Sequence, residues 1–221
     1  MGIFSGFSLI ASSIPYIING VWTTLEIALV SAIIGFVLGV ILSLFKIGNI
    51  KILAWMSDFY TSIFRGTPLI LQLTLVYFAT PQLIGYDISA FLAAIITFGF
   101  NSGAYMSEII RSGINAVDKG QFEAAGALGV PYWSMMKDII LPQAIKKILP
   151  AMMNEFITLT KESAIVSTIG VLDLMRRAQV VAAENSLYFP PLIVSFAIYY
   201  VLVMILTILG RLFERRMSRS D

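Results

Sequence analysis

The chain has 221 residues with a net charge of +2; 58% of them are hydrophobic and only 13% charged, and the mean hydropathy is +0.86. A soluble domain carries about 25% charge, so this composition excludes an ordinary soluble fold and points to a core that faces lipid as well as protein. Cysteine and histidine are both absent; that rules out disulfides and thiolate metal sites and removes the commonest general base and metal ligand, while a balance of +2 gives no sign of a nucleic-acid partner.

Residues 1–19 are apolar but contain Pro15 and several Ser and Gly, which predicts an interfacial or partly inserted helix. No Lys or Arg precedes Lys46, so the basic n-region of a secretory signal is missing. Spanning a bilayer takes about 20 apolar residues. The first such stretch is 21–45, interrupted only by Glu26 near its outer end, with a small-residue stripe at Ser31, Gly35 and Gly39 suited to close helix packing. Lys51 to Phe64 is too polar at Ser57, Asp58, Thr61 and Ser62 for an easy lipid-facing span. It reads as a helix along the inner interface, broken before Arg65-Gly66-Thr67-Pro68, with a second span over 67–84. A third span covers 89–113, a long loop 114–145, and a fourth, the most polar, 146–170 with a kink at Pro150. Residues 172–188 form an amphipathic outer helix carrying Arg176, Arg177 and Glu184, and 190–212 is a clean fifth span. The expected fold class is therefore all-α integral membrane: a single domain with five transmembrane helices and an N-terminal interfacial helix.

The basic residues set the orientation. With the N-terminus outside, Lys46, Lys51, Arg65, Arg111, Lys119, Lys137, Lys146, Lys147, Arg211, Arg215, Arg216 and Arg219 fall on the inner side, 12 of the 15 positive charges. Only Arg176 and Arg177 lie in an outer loop, and Lys161 lies within a span. The positive-inside rule thus favours N-out, C-in and puts 114–145 in the cytoplasm.

That loop contains EAAGALGVPYWSMMKDIILP at 123–142. A short helix is expected from Gln121 to Leu128, with Glu123 in its first turn where the helix dipole favours an anion. Ala124, Ala125 and Ala127 keep one surface small, Gly129 lets the chain leave the helix, and Pro131 opens the next one. Tyr132, Trp133, Met135 and Met136 add bulky apolar area. Such an element suits docking in a partner's groove.

Glu123-Ala124-Ala125, Gly129, and Ile139-x-Leu141-Pro142 resemble the EAA loop of permease subunits of bacterial ATP-binding-cassette (ABC) importers. RGTPL at 65–69 followed by Gln72 resembles the polar amino-acid branch of that family, and the likeness runs over nearly the whole chain. The resemblance implies a type I importer with a MetI-like fold in the bacterial inner membrane. It makes Glu123, Ala124, Ala125 and Gly129 the coupling helix that inserts into a separate cytoplasmic ATPase. It also implies a second permease subunit, identical or a close paralogue, an external substrate-binding protein touching the outer helix, and alternating access. No Gly-Lys dipeptide occurs, so the chain has no phosphate-binding P-loop. It is expected to be no enzyme and to bind no cofactor or metal directly, ATP being used by the partner subunit.

Ionisable residues inside a membrane are costly and default to functional hypotheses. Glu155, Thr158 and Glu162 are spaced by three and four and share one helix face; Lys161 points away. On the third span Asn101 and Tyr105 share a face, with Glu108 a turn further on. Together with Leu69 after Pro68, these residues form a candidate midplane pocket: carboxylates for a cationic group, Asn, Tyr and Thr for hydrogen bonds. The substrate's own carboxylate would go to Lys161 or to the amides after Pro68. The alternative is a bundle salt bridge from Glu155 or Glu162 to Lys161, to Arg111 or to an arginine of a partner subunit. NEF at 154–156 and KES at 161–163 resemble cationic amino-acid permeases, where many members of the branch carry KDTSL. The resemblance therefore implies arginine, lysine or histidine before glutamine or glutamate. A proton-coupled secondary transporter would leave the EAA-like loop unexplained, and no HExxH, GxSG or GxGD supports an intramembrane enzyme.

Overall fold

A computed structural model describes residues 3–218, with side chains from 6 to 216; Arg219, expected among the inner charges, lies outside the described residues. Every regular element among them is helical: α1 (Ile3–Ile10), α2 (Ile14–Ile18), α3 (Gly20–Ile47), α4 (Lys51–Gly66), α5 (Leu69–Thr74), α6 (Thr80–Ile84), α7 (Ala90–Asn115), α8 (Lys119–Ala127), α9 (Tyr132–Ser134), α10 (Leu141–Glu162), α11 (Leu174–Asn185) and α12 (Phe189–Ser218). Helix is what the physics demands, because backbone groups facing lipid must be paired within their own segment.

Among the described residues three helical runs are long and apolar enough to cross a membrane, namely Gly6–Ile47, Ala90–Asn115 and Phe189–Arg216. A fourth arises if Lys51–Gly66 and Leu69–Ile84, which meet at 101°, count as one broken span. The N-terminal segment forms the short helices α1 and α2 ahead of α3, and Gly6–Ile47 together make one apolar helical run of 42 residues. The expected break before Arg65 comes two residues later. Thr67 and Pro68 are extended, as the restriction on a residue preceding proline requires. The helix expected over 146–170 is divided. α10 stops at Glu162, and a 3₁₀ stretch, Ser163–Ile169, carries the chain to Gly170, whose φ of +86° ends it. α10 is also too polar to join the three apolar runs.

α3 and α7 form the centre. A Cβ added at Gly35 would stand 2.6 Å from Ser102 Oγ, and one at Gly39 2.6 Å from Met106 Cβ. On the facing helix, a Cβ at Gly99 would stand 2.8 Å from Ile34 and one at Gly103 2.9 Å from Leu38. The stripe of Ser31, Gly35 and Gly39 therefore packs helices within one subunit. Three apolar clusters surround this seam. One joins Ile27, Leu73, Phe98, Leu159 and Val166. A second lies at the loop end, around Ile110, Ala125, Met135, Ile140 and Ile148. A third binds Ile10 and Ile17 to Leu174 and Val181 of α11. α12 covers the outside, with Phe196, Tyr200, Val201 and Ile208 exposed as lipid contact requires.

Candidate functional site

Glu155, Thr158 and Glu162 project from one side of α10, and all three are half-buried. The Ser102 hydroxyl of α7 lies beside Glu155. Among the described residues neither glutamate forms an ion pair; Lys161 is exposed, and Arg111 is taken by another acid. The alternative of a bundle salt bridge to Lys161 or Arg111 is therefore not realised. Two half-buried carboxylates two turns apart, with the adjacent Lys161 near Glu162 but in no ion pair with it, form a predominantly acidic face.

The other predicted pocket residues divide. Asn101 is turned away from this face. Its Nδ2 donates to the Phe64 carbonyl (2.9 Å) and to Gln72 Oε1 (3.1 Å). Gln72 Nε2 in turn donates to the carbonyls of Phe64 (2.9 Å) and Thr67 (3.1 Å) and to the Thr67 hydroxyl (2.8 Å). The 101° bend frees the last carbonyls of α4, and these two amides satisfy them. Sequence reasoning missed Gln72 as a structural residue, although a buried amide next to a proline break is the signal that would have found it. Leu69, at the start of α5, packs half-buried against the cluster around Phe98. Tyr105 is 38% exposed, and the Arg65 guanidinium sits 5.3 Å from its ring centroid.

Below Tyr105 the two helices separate. A cavity of about 320 Å³ is lined by Arg65, Tyr105, Glu108, Ser112, Lys147 and Ala151, among others. Glu108 is not free to serve it alone: Lys46 Nζ pairs with Oε1, and Arg111 Nη2 donates to Oε2 at 2.6 Å. Lys46, with a side chain only 2% exposed, also bonds Thr61 Oγ1 (2.8 Å) and Asp58 (3.3 Å). This network ties α3, α4 and α7 together and satisfies a buried ammonium.

The loop leaves α7 at Asn115 and forms α8, whose start is Asp118; its carboxylate accepts from Gly120 N at 2.6 Å. Because the helix begins at Lys119, Glu123 lies in its second turn and not in the first. Glu123, Ala124 and Ala127 are exposed, and Leu128 is 83% and Trp133 81% exposed. Ala125 does not share that surface. It is buried beside Met135 and Ile140, where its small side chain lets α8 sit on its own subunit. Gly129 has φ +68° with nothing within 4 Å of its missing Cβ, so backbone conformation and not crowding calls for glycine.

Residues 35–219 match the family model described as the binding-protein-dependent transport system inner membrane component. The arginine transport system permease protein ArtQ of Bacillus subtilis (strain 168) is 57% identical over 215 residues, covering 97% of this chain and 98% of that protein. The chain belongs to the amino-acid ABC-importer permeases. A putative glutamine transport system permease protein, GlnP of Rickettsia bellii (strain RML369-C), is 53% identical over 207 residues, covering 94% of this chain and 95% of that one. A chain of the crystal structure of an amino acid ABC transporter with histidines superposes with a TM-score of 0.91 at 43% identity, covering 95% of this chain and 98% of that one. The permease is thus an inner-membrane transport component and not an enzyme, and its family implies ATPase and substrate-binding partners.

The remaining segment of the permease is α11. Asp173 caps it, accepting from the amides of Arg176 (2.8 Å) and Met175 (3.3 Å) and from the Tyr199 hydroxyl (3.1 Å). Burial pushes the Asp173 carboxyl up to about 6, against the hydrogen bonds that pull it down. Arg177 is spent internally: it lies 4.7 Å from the Tyr16 ring centroid and donates to the Leu172 carbonyl at 3.1 Å. Glu184 is exposed, as is Glu26 on α3, which faces away from the bundle.

Proposed function

We propose that the permease, with a second permease subunit, identical or a close paralogue, forms the path by which a cationic amino acid crosses the inner membrane. The observation that carries this reading is the pair Glu155 and Glu162, half-buried on one face of α10 and in no ion pair among the described residues. A guanidinium or ammonium passing this face would supply the missing charge. The 57% identity to an arginine permease supports the same class. The 53% identity to a putative glutamine permease makes glutamine the reading to beat.

In this account five segments cross the bilayer with the N-terminus outside, so the loop 114–145 meets a cytoplasmic ATPase that hydrolyses ATP. The exposed set on that loop, Glu123, Ala124, Ala127, Leu128 and Trp133, forms the docking surface. Ala125 supports it from beneath, and Gly129 sets its exit. Closure of the ATPases pushes α8, which hands the motion to α7 and α10 through the cluster around Ala125, Ile140 and Ile148. An external binding protein delivers the substrate.

The test is uptake into liposomes containing the permease, its ATPase and its binding protein, with ATP inside. Labelled arginine should be displaced by unlabelled lysine or histidine at far lower concentration than by glutamine. Preferred uptake of glutamine would refute the cationic assignment and leave the family unaffected.

A further inference from the structure

The outward side of α12 carries two apolar grooves. The upper, of about 380 Å³, has Ile18 and Val21 on one wall and Val201, Leu202 and Ile205 on the other. The lower, of about 210 Å³, is lined by Leu209, Leu212, Phe213 and Arg216. Val201, Ile205, Leu209, Leu212 and Arg216 recur at spacings of three and four, so the two grooves lie in line on one face of the helix. From Val201 to Phe213 this track is about 18 Å long, a little more than one leaflet of a hydrocarbon core about 30 Å thick. Another side of α12 is spent on the bundle: a Cβ at Gly210 would stand 3.5 Å from Met153 of α10.

The track runs into positive charge. Arg216 closes the lower groove, and Arg211 and Arg215 are exposed beside it, against one acid, Glu214, in the whole of α12. An apolar strip of leaflet length that ends in a cluster of arginines has an anionic phospholipid as its complement. The acyl chain fills the groove and the phosphate meets the guanidinium. A second copy of the chain fits this face less well. Two copies related by a two-fold axis along the membrane normal bring the same surface of each together, which would set one arginine cluster against the other.

We propose that this face of α12 binds an anionic phospholipid of the inner leaflet, with the phosphate on Arg216 and an acyl chain along Phe213, Leu212 and Leu209 towards Ile205. The proposal rests on the inward C-terminus given under Proposed function and not on the substrate. Seated there, the lipid braces α12 where Gly210 meets α10, the helix that carries Glu155 and Glu162.

The experiment takes the purified complex of permease and ATPase in detergent micelles containing equal amounts of phosphatidylglycerol and phosphatidylcholine. Lipid that stays with the protein through gel filtration is measured by mass spectrometry. Phosphatidylglycerol should be retained in preference to phosphatidylcholine. Arg216→Gln should lower its retention about fivefold, the weight of one basic residue at a lipid surface. Leu209→Trp, which fills the groove and leaves every arginine in place, should lower it too. Lys51→Gln, which removes an exposed inner charge on α4, should leave it unchanged. Equal retention of the two lipids would overturn the proposal. So would an equal loss from Lys51→Gln and Arg216→Gln, which would mean diffuse charge and no site. The chain has no cysteine, so Leu209→Cys would carry the only one. Disulfide-linked permease pairs from that variant in oxidised membranes would show a second copy on this face and sink the lipid reading. If a variant fails to assemble, the comparison of the two lipids in the unaltered complex decides alone. Retention is read without substrate, so a wrong substrate assignment leaves it untouched. Labelling of Arg211→Cys from outside intact cells by an impermeant maleimide would overturn the orientation, and with it the inner-leaflet site.

Discussion

The seam between α3 and α7 and the seam between α7 and α10 share a helix and differ in almost everything else. The first is closed by reciprocal glycines, with Gly35 and Gly39 seated against Ser102 and Met106, and Gly99 and Gly103 against Ile34 and Leu38. The second is tight at Gly113, where an added Cβ would collide with Ile148. Beside that contact it opens into a cavity of about 320 Å³, and further along it shows two carboxylates that form no ion pair among the described residues. Close packing is expensive to rearrange, because interiors lose contacts or overpack with shifts of a single methyl group. A transporter therefore needs one seam that keeps its register and another that can change. Here the fixed seam is made of the smallest residues, while charge and space collect along the other.

The comparison breaks most visibly if bulk is added to each seam. Gly39→Val should force α3 and α7 apart at a cost of about 1–3 kcal/mol or more, read as a large fall in the thermal melting point of purified protein. Ala151→Val, which grows into the cavity, should stay within about 0.5 kcal/mol of the parent. Equal losses would mean that the second seam is as closely packed as the first.

The bend that joins α4 to α5 sharpens the same contrast from the side. Gln72→Ala removes the donor shared by the carbonyls of Phe64 and Thr67. Phe64 keeps its bond from Asn101 and Thr67 is exposed, so the loss is that of ordinary hydrogen bonds, about 0.5–1.5 kcal/mol each, and proteolytic cleavage near Thr67 should become faster. Unchanged protection would show that Asn101 alone holds the bend.

At the loop, Gly129→Val places a β-branched residue at φ +68°, a conformation costing about 1–2 kcal/mol. ATP-driven uptake should fall about tenfold while membrane insertion persists. The smallest effect on the permease itself belongs to Trp133→Ala. The side chain is 81% exposed, so melting should hold within about 0.5 kcal/mol. Co-purification of the ATPase should nonetheless drop, and full retention would remove Trp133 from the docking surface.

Much of this architecture was legible in the sequence. Apolar length marked 21–45 and 190–212, within α3 and α12, and Thr67-Pro68 announced the break before α5. The small-residue stripe at Ser31, Gly35 and Gly39 foretold close packing, and Gly129 a helix exit. What escaped depended on direction in space. Nothing in the string EAA says that Ala125 faces inward while Ala124 faces out, because alanine is at ease in either place. Helical spacing put Asn101 and Tyr105 on one face, yet Asn101 is drawn to the freed carbonyl of Phe64, a demand created only by the folded bend. Lys46 and Glu108 are 62 positions apart, and their pairing, like the cavity beneath Tyr105, exists only once three helices meet.

The most direct test of the central claim, that the unpaired acids of α10 carry the preference for a cation, is the ratio of arginine to glutamine uptake in the reconstituted importer after Glu155→Gln and Glu162→Gln. Removing one charge-assisted partner is worth about 1.5–3 kcal/mol, so arginine uptake should fall at least tenfold with glutamine uptake little changed. Parallel losses for both substrates would contradict the account and leave these carboxylates as structure.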